Sequence, residues 1–116
     1  MSNNDHHQSV LLTEAIDLLN PQSGLWYLDG TFGRGGHTAK LLARGAHVIA
    51  LDYDEQAIAA GTERFQSEIA AGRLLLLREN FAGFAAIWPK LPPKAKKVSG
   101  ALFDFGTSIE QLRYDQ

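Results

Sequence analysis

Apolar residues fall along this chain in short blocks of two kinds, some at helical spacing and some continuous. Val10, Leu11, Ala15, Leu18 and Leu19 recur as one face of a helix, which predicts a helix over 10–19 with Ser9 as its N-cap. Asn20-Pro21-Gln22-Ser23-Gly24 is a breaker cluster. Leu25 to Leu28 is continuously apolar and too short for a helix, so it predicts a buried strand closed by Asp29-Gly30. A glycine-rich loop follows, then a helix over 37–43 with Gly45 where a C-terminal cap is expected. The unit then repeats. Ala46 to Leu51 predicts a second strand, and Asp54 caps a long helix running to about Ala71 and closed by Gly72. Leu74 to Leu77 predicts a third strand, although four leucines alone would also suit a helix. Phe84 to Trp88 predicts a short helix stopped by Pro89, and Lys90 to Lys97 a loop rich in proline and lysine. Val98 to Phe103 predicts a fourth strand ending at Asp104.

Strands that alternate with helices imply parallel pairing through crossover helices. Continuous apolar strands fit a sheet covered on both faces, and right-handed crossovers then give a doubly wound α/β sheet. The expected layout is a leader and helix over 1–20 and a core over 25–116, with the sheet ending at its fourth strand. Such an edge wants a neighbour, which predicts self-association. In open sheets of this kind ligands bind beyond the carboxyl ends of the strands. Asp29 with its glycine loop, Asp52, Asn80 with Phe81, and Asp104 all belong at those ends.

Composition narrows the partners. The chain has 116 residues, enough for one domain with a thin core, and a net charge of −2 that supplies no global field toward nucleic acid or membrane. It has no cysteine, which rules out disulfides and thiolate chemistry. Its leader, MSNNDHHQSV, lacks an apolar core, and no stretch is long enough to span a bilayer, so a cytoplasmic protein is expected. His6, His7, His37 and His47 are not at zinc spacing. Asp104-Phe105-Gly106 spells the protein-kinase magnesium motif, but no H-R-D loop precedes it. Lys90, Lys94, Lys96 and Lys97 make a basic loop, by default solvated, with RNA phosphates as the alternative.

The chemistry concentrates in Asp29 to His37, DGTFGRGGH. Gly33, Gly35 and Gly36 lie between a strand end and a helix start, where glycine permits a tight turn and lets another group touch the main chain. A strand before, a helix after and an acid ending the next strand favour a nucleotide-like ligand. The dinucleotide pattern G-x-G-x-x-G fails, because counting from Gly33 puts Thr38 at its last glycine. No Gly-Lys-Ser/Thr follows, so the loop is not a phosphate-binding Walker loop. Asp52 ends the second strand 16 residues after Gly36, where a carboxylate can accept hydrogen bonds from both hydroxyls of a ribose. The plainer role of helix cap suits Asp54 better. Phe81 can edge an adenine or belong to the core.

The pattern D-x-T-x-G-x-G-G resembles the first motif of S-adenosylmethionine-dependent methyltransferases, with Thr31 in place of the first glycine. The resemblance extends along the chain to one family, ribosomal RNA small-subunit methyltransferase H, also called MraW. His7-Gln8-Ser9-Val10-Leu11-Leu12-Thr13-Glu14 is similar to that family's H-x-x-V-L-L-x-E, and Asp29 to His37 matches its signature throughout. Ala50 to Asp54 resembles A-x-D-x-D, Leu102 to Gly106 resembles L-x-D-L-G, and Ser108, Gln111 and Leu112 fall in its S-x-x-Q-L register. The resemblance implies a Rossmann-like class I methyltransferase fold. It implies methyl transfer from S-adenosylmethionine to N4 of a cytosine in small-subunit ribosomal RNA, with that RNA or the ribosomal subunit as partner. It also places cofactor contacts on Gly35, Gly36, His37, Asp52, Phe81, Asp104 and Gln111, beside Gly33 of the loop. Asp104 is the candidate catalytic group: it orients the amine, touches the cofactor, or does both. Ile109, Glu110 and Arg113 stand where the family has serine, proline and an acid, and the family continues past Gln116. Those departures keep a second reading open, a remnant that binds cofactor or RNA without turnover. A third reading, an NAD-dependent oxidoreductase on a related sheet, is disfavoured by the failed third glycine.

Overall fold

The computed structural model describes residues 12–90, 97–105 and 108–112, with the side chain of Ile87 and those from Asp104 onward left aside. The first helix, α1, covers 12–19; its expected start at Ser9 and Val10 lies outside the described residues. Then follow β1 (Trp26–Asp29), α2 (Gly36–Ala43), β2 (His47–Leu51), α3 (Glu55–Arg64), α4 (Gln66–Ala70), β3 (Leu74–Leu77), α5 (Phe81–Ile87), a turn of 3-10 helix (Trp88–Lys90), β4 (Val98–Phe105) and β5 (Ser108–Leu112). The strand order is β3-β2-β1-β4-β5. β1 pairs in parallel with both β2 and β4, and β2 with β3. The chain winds outward from β1 to β3 and then returns to the other side of β1. The switch point of this doubly wound sheet therefore lies between β1 and β4.

Strict alternation in the strands builds two cores. Tyr27, Val48, Ala50, Leu74 and Leu102 face one side and pack with Ala15, Ile16 and Leu19 of α1, Leu41 and Leu42 of α2, and Phe65. Leu28, Ile49, Leu51, Ala101 and Phe103 face the other side, with Phe84 and Trp88. Burying an aliphatic side chain of this size is worth about 1.5–3 kcal/mol. Leu28, Leu41, Ile49, Leu51, Leu74 and Leu102 have no exposed surface, so they fix the sheet that carries the strand ends.

The structure corrects the expected organisation in three places. The long helix after β2 is two helices, because Phe65 leaves helical geometry (φ −109°, ψ 33°) and turns its ring inward against Phe32. The helix before the lysine loop starts earlier, at Phe81, because the Asn80 side chain accepts a hydrogen bond from the Gly83 N–H and caps it. The sheet does not end at its fourth strand. β4 runs to Phe105 rather than stopping before Asp104, and β5 returns antiparallel to it, with Phe105 opposite Ser108 and Asp104 opposite Ile109. Asp104 thus lies inside a paired run, and the outer strands are β3 and β5.

Candidate functional site at the carboxyl ends of the strands

Asp29, at the end of β1, anchors the site from below. It is fully buried; one carboxylate oxygen accepts from Thr38 Oγ1 at 2.7 Å and the other from the Thr31 N–H at 3.2 Å. Burial pushes its carboxyl up from the ordinary value, while the Thr38 hydrogen bond and the nearby His37 imidazole pull it down. The Gly30 N–H donates to Leu102 O at 2.8 Å across the switch point, and the Phe32 N–H to Leu51 O at 2.8 Å over β2. These bonds lay the loop along the sheet edge toward Asp52.

Loop and acid meet. The Gly33 N–H donates to Asp52 Oδ2 at 2.8 Å, and the Asp54 N–H donates to Asp52 Oδ1 at 2.8 Å. Each carboxylate oxygen has more than one acceptor site, so the half-exposed Asp52 retains capacity for hydroxyl donors. Asp54 caps α3 through the Gln56 N–H at 2.9 Å, as its position in the sequence predicted.

The glycines have different reasons to lack side chains. Gly35 has φ +85°, and a Cβ there would stand 3.1 Å from both the Phe32 and Phe65 rings and 3.3 Å from Arg64 Nη1. At Gly36 a Cβ would strike Leu12 of α1 at 2.6 Å. At Gly33, φ +55°, a Cβ would have only Thr31 O within 4 Å, at 3.9 Å. Gly33 alone of the three faces open space, so it is the one available for close approach by a ligand.

His37, in the first turn of α2, is 6% exposed, and its buried Nε2 has no hydrogen-bond partner among the described residues. A buried polar atom left this way is costly unless a ligand or water completes it. Phe81 starts α5 beside the site. It is 45% exposed and packs edge-on against Phe103 at 5.3 Å, so part of its ring remains available. Asp104 and Gln111 enter through backbone register alone: Gln111 is opposite Leu102, two positions from Asp104 along β4. Tyr53 extends the exposed rim, with the Arg78 guanidinium 5.2 Å from its ring. Of the basic loop, Lys90 and Lys97 are exposed, and Lys94 and Lys96 lie outside the described residues. A cavity of about 260 Å³ lined by Thr13, Ile16, Lys40, Ala43 and Arg44 touches none of these groups.

Two contributors escaped the sequence reading. Thr38 completes Asp29, and nothing local marks a threonine in a helix as the partner of an acid nine residues earlier. Arg64 donates from Nη1 to Arg34 O at 2.9 Å, a contact between segments 30 residues apart. β5 did leave a signal: only Gly106 and Thr107 separate it from β4, which is hairpin spacing.

Sequence and structure comparisons bear on the family and the fold. The MraW methylase family profile matches residues 4–116. The chain belongs to the MraW methylase family. Ribosomal RNA small subunit methyltransferase H from Brucella ovis and that from Brucella abortus are each 41% identical to it over 106 residues, covering 91% of this chain. The chain spans 30% of the length of those relatives. Among solved structures, the C-terminal domain of precorrin-6Y C5,15-methyltransferase from Rhodobacter capsulatus superposes with a TM-score of 0.60 at 13% identity, covering 80% of this chain and 60% of that one. A geranyl diphosphate methyltransferase in complex with SAM superposes at 0.54 and 21% identity, covering 62% of this chain and 30% of that one. These distant matches establish a Rossmann-like methyltransferase fold. No helix among the described residues is long and apolar enough to cross a membrane.

Proposed function

We propose that this MraW-family chain forms the S-adenosylmethionine site of a methyltransferase acting on N4 of a cytosine in small-subunit ribosomal RNA. The observation that carries the reading is the Gly33–Asp52 hydrogen bond, which joins the glycine loop and the strand-end acid on one rim. The residues suit the cofactor. Gly33 offers bare backbone for the methionine part, His37 Nε2 is a buried polar atom awaiting a partner, and Phe81 presents a half-exposed ring for the adenine. Asp52 accepts from the ribose hydroxyls in addition to its backbone donors. Gly35, Gly36 and Gln111 complete the contacts expected of the family pattern.

Bound S-adenosylmethionine supplies an electrophilic methyl group. A cytosine amine is a poor nucleophile, because its lone pair is delocalised into the ring. A useful site therefore accepts a hydrogen bond from the amine and holds the lone pair on line. Asp104, on β4 beside the switch point, is assigned that orienting role. The substrate-side partner is the RNA or the ribosomal subunit in the cytoplasm, and an outer strand of the sheet is the surface through which copies would associate.

Calorimetric titration with S-adenosylhomocysteine tests the cofactor site. Asp52→Ala should weaken binding by about tenfold to several hundredfold, the worth of charge-assisted bonds at roughly 1.5–3 kcal/mol each. Equal affinity in both proteins refutes the ribose assignment, and preference for NAD would revive the oxidoreductase. Transfer of a labelled methyl group to small-subunit RNA tests the reaction. Cofactor binding without transfer identifies the non-catalytic remnant, the reading that Ile109, Glu110 and Arg113 favour.

A further inference from the structure

The run Gly33-Arg34-Gly35-Gly36 should be the least ordered part of the site, because glycine has the most conformational freedom to lose. The structure instead grips it at two points. On the β2 side, Asp52 Oδ2 takes the Gly33 N–H at 2.8 Å. On the α3 side, Arg64 Nη1 donates to the Arg34 carbonyl at 2.9 Å. The Arg64 guanidinium is itself seated, with its carbon 4.7 Å from the centre of the Phe65 ring. Phe65 in turn meets Phe32 of the loop edge-to-face at 6.1 Å. The Phe32–Gly33 peptide unit is thereby fixed through its N–H and the Arg34–Gly35 unit through its C=O, both from side chains outside the loop, which leaves only the Gly33–Arg34 unit between them.

We propose that Arg64 is a positioning residue of the cofactor site, acting through the Arg34 carbonyl. Together with Asp52 it sets the glycine loop in its binding shape before any ligand arrives. Asp52 then has a second role besides the ribose, as the other jaw of the same brace. The inference rests on the cofactor reading above and adds to it. A preset loop pays less ordering entropy on binding, so removing either jaw should weaken ligands that never touch the removed group.

Two titrations test it, each beside hydrogen exchange on the ligand-free protein. The first compares S-adenosylhomocysteine binding to wild type, Arg64→Met and Arg64→Lys. Methionine keeps apolar cover on Phe65 and removes the donor; lysine restores a donor and the charge. Loss of one charged donor to a carbonyl at a solvent-facing position should weaken binding about threefold to tenfold. Lysine should recover part of that loss, and amide exchange should quicken at Gly33 and Gly35 while β1 and β2 are unchanged. The second uses a 2′,3′-dideoxy analogue of S-adenosylhomocysteine, which has no ribose hydroxyls. Asp52→Ala should bind this analogue more weakly than wild type does. Wild-type affinity in Arg64→Met, no recovery in Arg64→Lys, or equal binding of the dideoxy analogue by wild type and Asp52→Ala each overturns the brace and leaves the cofactor site standing. Failure of wild type to bind S-adenosylhomocysteine removes both.

Discussion

Thr38→Val is the sharpest probe of the site's foundation. Valine matches threonine in shape, so the substitution replaces one hydroxyl by a methyl group and leaves packing nearly intact. What it removes is the 2.7 Å bond to Asp29 Oδ2 in a place where both residues have no exposed surface. The stranded carboxyl oxygen cannot turn to water, and leaving a buried acceptor unsatisfied costs roughly 1–3 kcal/mol, more where the acid is ionised. At about 4 °C per kcal/mol for a domain of this size, the unfolding midpoint should fall by about 4–12 °C. Thr38→Ser, which keeps the hydroxyl, should lose far less.

The loss should also depend on pH in a fixed direction. The Thr38 bond is one of the influences that lower the Asp29 pKa, so without it the folded carboxyl holds its proton to still higher pH. Below the unfolded value of 3.8 the acid is protonated in both states, and the variant loses only a neutral hydrogen bond. As pH rises through the folded value, the variant must ionise an unsupported buried acid, and its deficit grows. Denaturant melts from acid pH upward through the ionisation of folded Asp29 measure this directly. A deficit that is constant across pH would refute the account, as would a Thr38→Val cost that persists unchanged in an Asp29→Asn background.

Other perturbations follow from the same contacts. Asp29→Asn can still accept from Thr31 and can donate to Thr38; it should flatten the acid-to-neutral loss of stability that a buried carboxyl with a raised pKa imposes on wild type, as read from denaturant melts over the same range. Gly35→Ala must adopt φ +85° and press on Phe32 and Phe65, so it should cost about 1–3 kcal/mol in thermal melts and weaken S-adenosylhomocysteine more than a remote change of equal cost. Asp54→Ala removes the cap of α3 and should cost about 0.5–2 kcal/mol in the same melts, while cofactor affinity moves little. Phe81→Ala should reduce cofactor affinity about twofold to tenfold, the worth of one aromatic contact, with a small effect on stability because the ring is half exposed.

What could be seen in the sequence depended on range. β1, β2 and β3 were visible because each is a short apolar run between breakers, and Asp54 and Gly45 because caps act within a turn of their helix. Asp52 could be placed beside the glycine loop because a doubly wound sheet brings the carboxyl ends of neighbouring parallel strands to one rim. The break at Phe65 was not visible: the helical pattern continues through it, and only the long-range demand of Phe32 for a partner pulls that ring inward. β5 was missed because alternation with helices argued for parallel strands throughout, and the hairpin spacing at Gly106-Thr107 was outweighed. Thr38 and Arg64 were invisible for a different reason. Their roles are single contacts with no periodicity, 9 and 30 residues from their partners.

The glycine loop shows how a correct reading of sequence can still misassign its cause. Its lack of side chains suggested room for a ligand along the whole bend. Yet the space beside Gly35 belongs to Phe32, Phe65 and Arg64, and that beside Gly36 to Leu12, so those glycines are required by the protein's own packing. Only Gly33 opens outward, and its N–H is already committed to Asp52. The signature therefore encodes attachment of the loop to its scaffold at least as much as recognition. A variant at Gly35 or Gly36 that loses the cofactor would then report on loop placement as well as on any main-chain contact, whereas at Gly33 no packing neighbour stands in the way.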